Sequence, residues 1–319
     1  MTTWRLLALP PLPLQLLQTL FADPRLEVFV PEERTQAAVD AALPTADLVV
    51  ADWTPLLRLA HPGPRVAFVQ QPSVGFDGTD VDAFATAGVP VANCAGANTI
   101  SVAEWCLSAT LSLLRRTVHA DAAVRRGEWP LQTSLGGREL SGSRVGVVGM
   151  GPIGRAVAER FTAMGCDVHY WSRSQKPDVP APYAPLPELL ATSDVVVLVI
   201  ALGPQTRGLV DPRLMKKGAL LVNGARGLVV DEAALVEALR SGHLGGAALD
   251  VFATEPLPAD SALRELDTVL LSPHMAGGSQ QAIGRIISLT TANLQRVLDG
   301  QPVVDVVNGV DPRATRRRG

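Results

Sequence analysis

Lysine is nearly missing from this chain of 319 residues: of its 28 basic side chains only Lys176, Lys216 and Lys217 are lysines. With so much alanine alongside, the arginine excess reads as codon bias in a GC-rich genome. A large net charge is missing as well. The formal value is -3, so no global basic field draws in nucleic acid. The one basic cluster, Arg313, Arg316, Arg317 and Arg318, sits at the C-terminal end and reads as a frayed tail. Cysteine is sparse: Cys94, Cys106 and Cys166 are odd in number and never at C-x-x-C spacing. That excludes a disulfide framework and a structural zinc site, leaves no metal expected, and fits a reducing cytoplasm. Long apolar runs are absent too. Val195–Leu202 is far too short to span a bilayer. The run Leu6–Leu20 is interrupted by Pro10, Pro11, Pro13 and two glutamines, so Trp4–Leu9 is expected to be a strand rather than part of a signal peptide.

Core-forming residues are plentiful. Hydrophobic residues make up 47% and charged residues 18% of the chain, which excludes disorder and suffices for two ordinary domains. Short apolar runs alternate with helical patterns almost throughout. Leu48–Ala51, Val66–Gln70, Val89–Ala92, Val145–Gly149, Val168–Trp171, Val195–Ile200, Ala219–Asn223, Gly246–Asp250 and Val269–Ser272 are candidate buried strands, with helices such as Pro152–Met164 and Glu232–Ser241 between them. Such alternation predicts an α/β fold with parallel sheets covered on both faces. A boundary is expected near residue 98. Beyond it, Ser101–Glu128 has no Pro or Gly before Gly127 and is expected to be one long helix, a domain connector or a dimer surface. The last helix, about Gln280–Asp299, is expected to cross back to the first domain.

The segment Arg144–Gly154 is a strand running into Gly149-Met150-Gly151-Pro152-Ile153-Gly154 and then a helix. Gly149 permits the tight turn, Gly151 lets a pyrophosphate approach the backbone, and Gly154 allows close helix–strand packing, with the free N–H groups of the helix facing the phosphates. Pro152 suits a first helical turn. An NAD site usually ends the next strand with Asp or Glu for the ribose hydroxyls. Here that position is Ser172, 18 residues after Gly154, in Ser172-Arg173-Ser174-Gln175-Lys176. Hydroxyls and a guanidinium would bind a 2′-phosphate that a carboxylate would repel. NADPH is therefore expected over NADH, the alternative being a solvated Arg173 and little discrimination between the two.

Three polar residues each follow an apolar strand: Arg226 after Leu220–Asn223, Glu255 after Ala248–Phe252, and His274 after Val269–Ser272. In open α/β sheets ligands bind beyond the carboxyl ends of strands, so the three can converge. A guanidinium can hold a substrate carboxylate, a histidine can protonate a carbonyl oxygen as hydride reaches its carbon, and a carboxylate can orient that histidine.

These segments, with Ala97-Asn98-Thr99-Ile100-Ser101-Val102-Ala103-Glu104, resemble the D-isomer-specific 2-hydroxyacid dehydrogenases from about Val66 to Ser279. The resemblance implies two doubly wound parallel-sheet domains with the active site in the cleft. One is a flavodoxin-like substrate domain (1–97 plus 285–319); the other is a Rossmann dinucleotide-binding domain (98–284) through which a homodimer forms. It carries the catalytic set onto Arg226, Glu255 and His274. The N–H groups of Val74 and Gly75, with Arg226 and His274, are assigned to the substrate. Val102, Thr206, Gly224, Ala225, Asp250, His274 and Gly277 join Gly149, Gly151, Pro152, Ile153, Gly154, Ser172, Arg173 and Ser174 at the cofactor, Asp250 beside the nicotinamide carboxamide.

The implied reaction is reduction of a small 2-oxo acid to the D-2-hydroxy acid, closest to the NADPH-dependent glyoxylate/hydroxypyruvate reductase branch. Bulkier substrates such as phenylpyruvate and a non-catalytic, dinucleotide-sensing corepressor-like role stay open. Ala201-Leu202-Gly203 replaces the Pro-Leu-Thr that the family often has, which implies a reshaped loop. Trp53, Trp105, Trp129, Leu135 and Met275 are candidate pocket walls or ordinary packing. The chain is too short for the C-terminal regulatory domain of many phosphoglycerate dehydrogenases.

Overall fold

Strand β1 (Trp4–Ala8) lies between β2 (Leu26–Phe29) and β3 (Leu48–Val50), and β4 (Phe68–Gln70) and β5 (Val91–Ala92) follow in a five-stranded sheet whose strand pairs are all parallel. The computed structural model describes residues 3–54, 56–129 and 136–317. The chain divides into two units, Met1–Ala97 with Gln280–Gly319, and Asn98–Ser279. The order β2-β1-β3-β4-β5 of the first unit is the flavodoxin-like doubly wound order. Its inner strand β3 reads as a continuous apolar run because successive side chains enter opposite faces and both faces are covered. Leu6 and Ala8 pack with Leu17, Phe21, Leu294 and Val297, while Leu7 and Leu9 pack with Val39, Leu43 and Phe84. Each such buried Leu or Phe contributes about 1.5–3 kcal/mol relative to exposure.

The second unit holds β6 (Arg144–Val148), β7 (Asp167–Trp171), β8 (Val195–Leu198), β9 (Leu220–Asn223), β10 (Gly246–Leu249) and β11 (Val269–Leu271) in the parallel order β11-β10-β9-β8-β6-β7. A single parallel bridge between Tyr170 and Tyr183 extends this sheet beyond β7. Val145 and Val147 face a core with Val157 and Phe161; Val148, Val196 and Leu198 face one with Leu189, Leu235 and Leu239. After β7 the chain crosses back over β6 to form β8, so the strand order reverses at β6. The crevice beyond the carboxyl ends of β6 and β8 is where such sheets take ligands.

Three expectations need correction. The helix expected over Ser101–Glu128 is two helices, Thr99–Arg115 and Thr117–Arg125. Arg116 between them is left-handed at φ 50, its N–H closing the first helix on Leu113 O. A left-handed C-terminal residue is usually Gly, so an arginine there leaves no mark in the sequence. Strand β2 was not anticipated. It is an edge strand in which Glu27 interrupts Leu26 and Val28, so no continuous apolar run announces it. The arginine tail is not frayed: the Arg316 guanidinium lies 3.1 Å from Asp47 Oδ2 and over the Trp4 ring, and Arg317 donates to Ala87 O. Arg318 lies outside the described residues. Before the tail, Val306 bridges Ala92 and Asn308 bonds the backbone of Val89 and Val91, which covers the β5 edge.

Candidate active site

Gly149 follows β6 directly at φ 104, a conformation that side chains avoid, and a Cβ there would lie 2.7 Å from Val199 O. A Cβ on Gly154 would sit 2.0 Å from Gly149 O, so the helix Pro152–Ala163 can start this close to the strand only with glycine at that position. Gly151, its N-cap residue, has nothing within 4 Å of a Cβ position, which leaves its face open. Pro152 and Ile153 form the first turn, where unbonded N–H groups accumulate. The residues present fit a dinucleotide pyrophosphate: an open glycine face at a helix N-terminus.

A cavity of about 600 Å³ begins at this turn and brings together Gly149, Gly151, Ser172, Arg173, Ser174 and Thr206. Lys176 also lines it, and no carboxylate does. Sequence reasoning left Lys176 out; its place follows from Tyr170, whose hydroxyl donates to Lys176 O and accepts Lys176 N–H at 2.7 Å, folding the loop back. Ser172 is buried and donates to Ser174 O at 2.7 Å, so its hydrogen shapes the loop. Arg173 is exposed and has no ion pair among the described residues. Across the cavity, Thr206 Oγ1 accepts Gly203 N–H and donates to Ala201 O, both at 2.8 Å, closing the loop after β8.

The loops after β9, β10 and β11 carry the charged residues. His274, at φ 52, has its backbone N–H on Asp250 O at 2.8 Å and its Nδ1 2.7 Å from Glu255 Oε2. Glu255 Oε1 accepts the Phe252 N–H at 3.0 Å. Burial pushes the Glu255 carboxyl up. The His274 hydrogen bond, the Phe252 N–H and the charge of Arg226 more than offset this and hold it below the usual carboxylate value. Arg226 extends from the turn after β9, which Asn223 closes by accepting Ala225 N–H and donating to Arg226 O. One Arg226 nitrogen donates to Ala225 O.

Asp250 is buried, and its carboxylate accepts the Ser272 hydroxyl at 2.6 Å and the N–H groups of Met275 and Ala276 at 2.8 Å. It therefore ties down the loop that presents His274. Gly224 has Val102 and Trp105 beside its Cβ position, and Gly277 lies against the Asn98 side chain. Met275 and Trp129 are exposed on this unit, and Trp53 on the first; Leu135 lies outside the described residues. Among the described residues no cluster of His, Cys, Asp and Glu could hold a metal ion, and no helix is long and apolar enough to cross a membrane.

In the first unit, the loop Ser73–Gly75 has all its carbonyls engaged: Ser73 O accepts Cys94 N–H, Val74 O accepts the Asn93 amide and Gly75 O accepts the Ser73 hydroxyl. The N–H groups of Val74 and Gly75 have no acceptor among the described residues.

The family model for the NAD-binding domain of the D-isomer specific 2-hydroxyacid dehydrogenases matches residues 107–276. A glyoxylate reductase of Aeropyrum pernix is 39% identical over 263 residues, 78% of this chain and 78% of that protein. A D-3-phosphoglycerate dehydrogenase of Mycobacterium leprae is 37% identical over 277 residues, 84% of this chain but 52% of that longer protein. Among solved structures, the D-lactate dehydrogenase of Aquifex aeolicus complexed with NAD and lactic acid superposes with a TM-score of 0.85 at 27% identity, covering 96% of this chain and 99% of that one.

Proposed function

The chain belongs to the D-isomer-specific 2-hydroxyacid dehydrogenases, NAD(P)-dependent oxidoreductases, and on that premise we propose that it reduces a small 2-oxo acid of the glyoxylate/hydroxypyruvate type to the D-2-hydroxy acid, with NADPH as the preferred reductant. The observation that carries the proposal is the 2.7 Å pair between His274 Nδ1 and Glu255 Oε2. With Nδ1 turned to the carboxylate, Nε2 is the atom left to deliver a proton. When bound, the reduced nicotinamide supplies the hydride. Arg226 holds the substrate carboxylate and polarises the adjacent carbonyl; the free amides of Val74 and Gly75 in the first unit are donors of the kind a carboxylate accepts. His274 Nε2 gives its proton to the carbonyl oxygen, while Glu255, on Nδ1, orients the ring that donates it. Asp250 keeps the His274 loop in place beside the carboxamide position.

NADPH preference is supported by the cavity lining, where Arg173 and Lys176 stand with two serines and no acid. The glyoxylate reductase of Aeropyrum pernix supports the small substrate. Val118, Val124 and Trp129, exposed apolar side chains of the second unit, support a homodimer through that domain, and three free cysteines support a cytoplasmic setting. Following loss of nicotinamide absorbance with NADPH and NADH in parallel, against glyoxylate, hydroxypyruvate, pyruvate and phenylpyruvate, tests the proposal. Faster turnover with NADPH than with NADH, and on glyoxylate and hydroxypyruvate than on the other two acids, is expected. Tight cofactor binding without turnover would point instead to a sensing role.

A further inference from the structure

The peptide joining Phe252 to Ala253 is gripped by the segment that carries Arg226. A Cβ on Gly227 would lie 1.9 Å from the Phe252 carbonyl carbon, 2.1 Å from its oxygen and 2.4 Å from Ala253 N. The bare α-carbon therefore rests directly on that peptide plane. A short way along the chain, Glu232 opens the helix Glu232–Arg240, and its Oε2 accepts the Ala253 N–H at 2.9 Å. The helix start is itself fixed, since Asp231 caps it by accepting Ala234 N–H. The preceding amide, that of Phe252, goes to Glu255. Two successive N–H groups of one turn are thus held by two carboxylates, one from outside the turn and one from within it.

We propose that Glu232 is a positioning residue: by holding the Phe252–Ala253 peptide against Gly227, it fixes the turn that aims Glu255 at His274 Nδ1 and ties that turn to the loop of Arg226. This rests on Glu255 and His274 acting as the orienting carboxylate and the proton donor. Glu232 touches neither substrate nor cofactor and acts through the turn. Without it the Ala253 N–H loses its acceptor and the turn relaxes. Displacement of a catalytic group by about 1 Å can cost up to about a hundredfold in rate.

The test uses Glu232→Ala and Glu232→Gln in the whole protein, the glutamine keeping a carbonyl acceptor for Ala253 N–H. Two-bond proton–nitrogen NMR on the neutral imidazole, with His274→Ala to identify the signal, reads the tautomer without any substrate. The wild type and Glu232→Gln are expected to show the Nδ1–H form, and Glu232→Ala a mixture with the Nε2–H form. In the assay, Glu232→Ala is expected to lose roughly ten- to hundredfold in kcat with cofactor affinity unchanged, and Glu232→Gln to recover most of it. A Glu232→Ala protein with the wild-type tautomer and kcat would overturn the proposal, as would failure of Glu232→Gln to restore either. If the wild type turned over none of the 2-oxo acids while the tautomer still changed, the positioning role would stand and the assigned reaction would fall.

Discussion

At the carboxyl edge of the second unit's sheet, the turn after β6 works by what it omits, whereas the loops after β9, β10 and β11 work by what they hold. Gly149 and Gly154 are shaped by steric exclusion: Val199 O and Gly149 O occupy the places where side chains would be. Arg226, Glu255 and His274 are charged or polar groups pinned by hydrogen bonds to backbone and to one another. The difference matters because binding a polyanion needs exposed N–H groups, which any side chain would cover, while moving a proton needs specific side-chain atoms in fixed positions.

The largest expected effect isolates the proton-donating side. His274→Ala should lower kcat by about 10²- to 10⁴-fold, the usual worth of a general acid, while NADPH affinity measured by titration stays near wild type; comparable loss of affinity would erase the distinction between the two regions. On the other side, Gly154→Val should weaken both cofactors by about a hundredfold or more, because misplacing the turn forfeits several N–H contacts of about 1–2 kcal/mol each. Calorimetric titration checks this, and equal affinity would show that the turn is not the phosphate site.

Sharpening within the cofactor side comes from Arg173→Ala, which should raise the NADPH dissociation constant about ten- to hundredfold, the worth of one charge-assisted hydrogen bond, and leave NADH nearly unchanged. Acid should act on the proton-donating side through Glu255. Its carboxyl sits below the ordinary value, so its contribution is present above the unfolded-state value and is lost as pH falls through the lowered folded one. The melting-temperature gap between wild type and Glu255→Gln should be widest near neutrality and close as pH drops below about 4. The smallest effect lies away from both regions. Arg316→Ala should cost about 1 kcal/mol in the first unit by removing one partner of Asp47 and the stack on Trp4, read by denaturant unfolding.

What the sequence disclosed follows the same division. Buried parallel strands such as Val145–Val148 are legible because both faces demand apolar residues, and the glycine turn is legible because steric exclusion leaves only one residue type. The proposed catalytic residues could be named as residues after strands and given roles from their side-chain chemistry and the family resemblance, but nothing in the spacing of Arg226, Glu255 and His274 reports their hydrogen bonds. Partnerships made across sequence distance stayed hidden: Asp250 holding the His274 loop, Tyr170 folding back Lys176, Glu232 on Ala253 N–H, and Arg316 on Asp47. The break at Arg116 was hidden for another reason. A non-glycine residue in the left-handed region obeys tertiary context rather than local preference.

The most direct test of the central claim is the configuration of the glycerate formed from hydroxypyruvate and NADPH, resolved by chiral chromatography. His274 and Arg226 acting as assigned should give D-glycerate, faster than with NADH and about 10²- to 10⁴-fold faster than with His274→Ala. Formation of the L isomer, or no product from a protein that binds NADPH, would contradict the account.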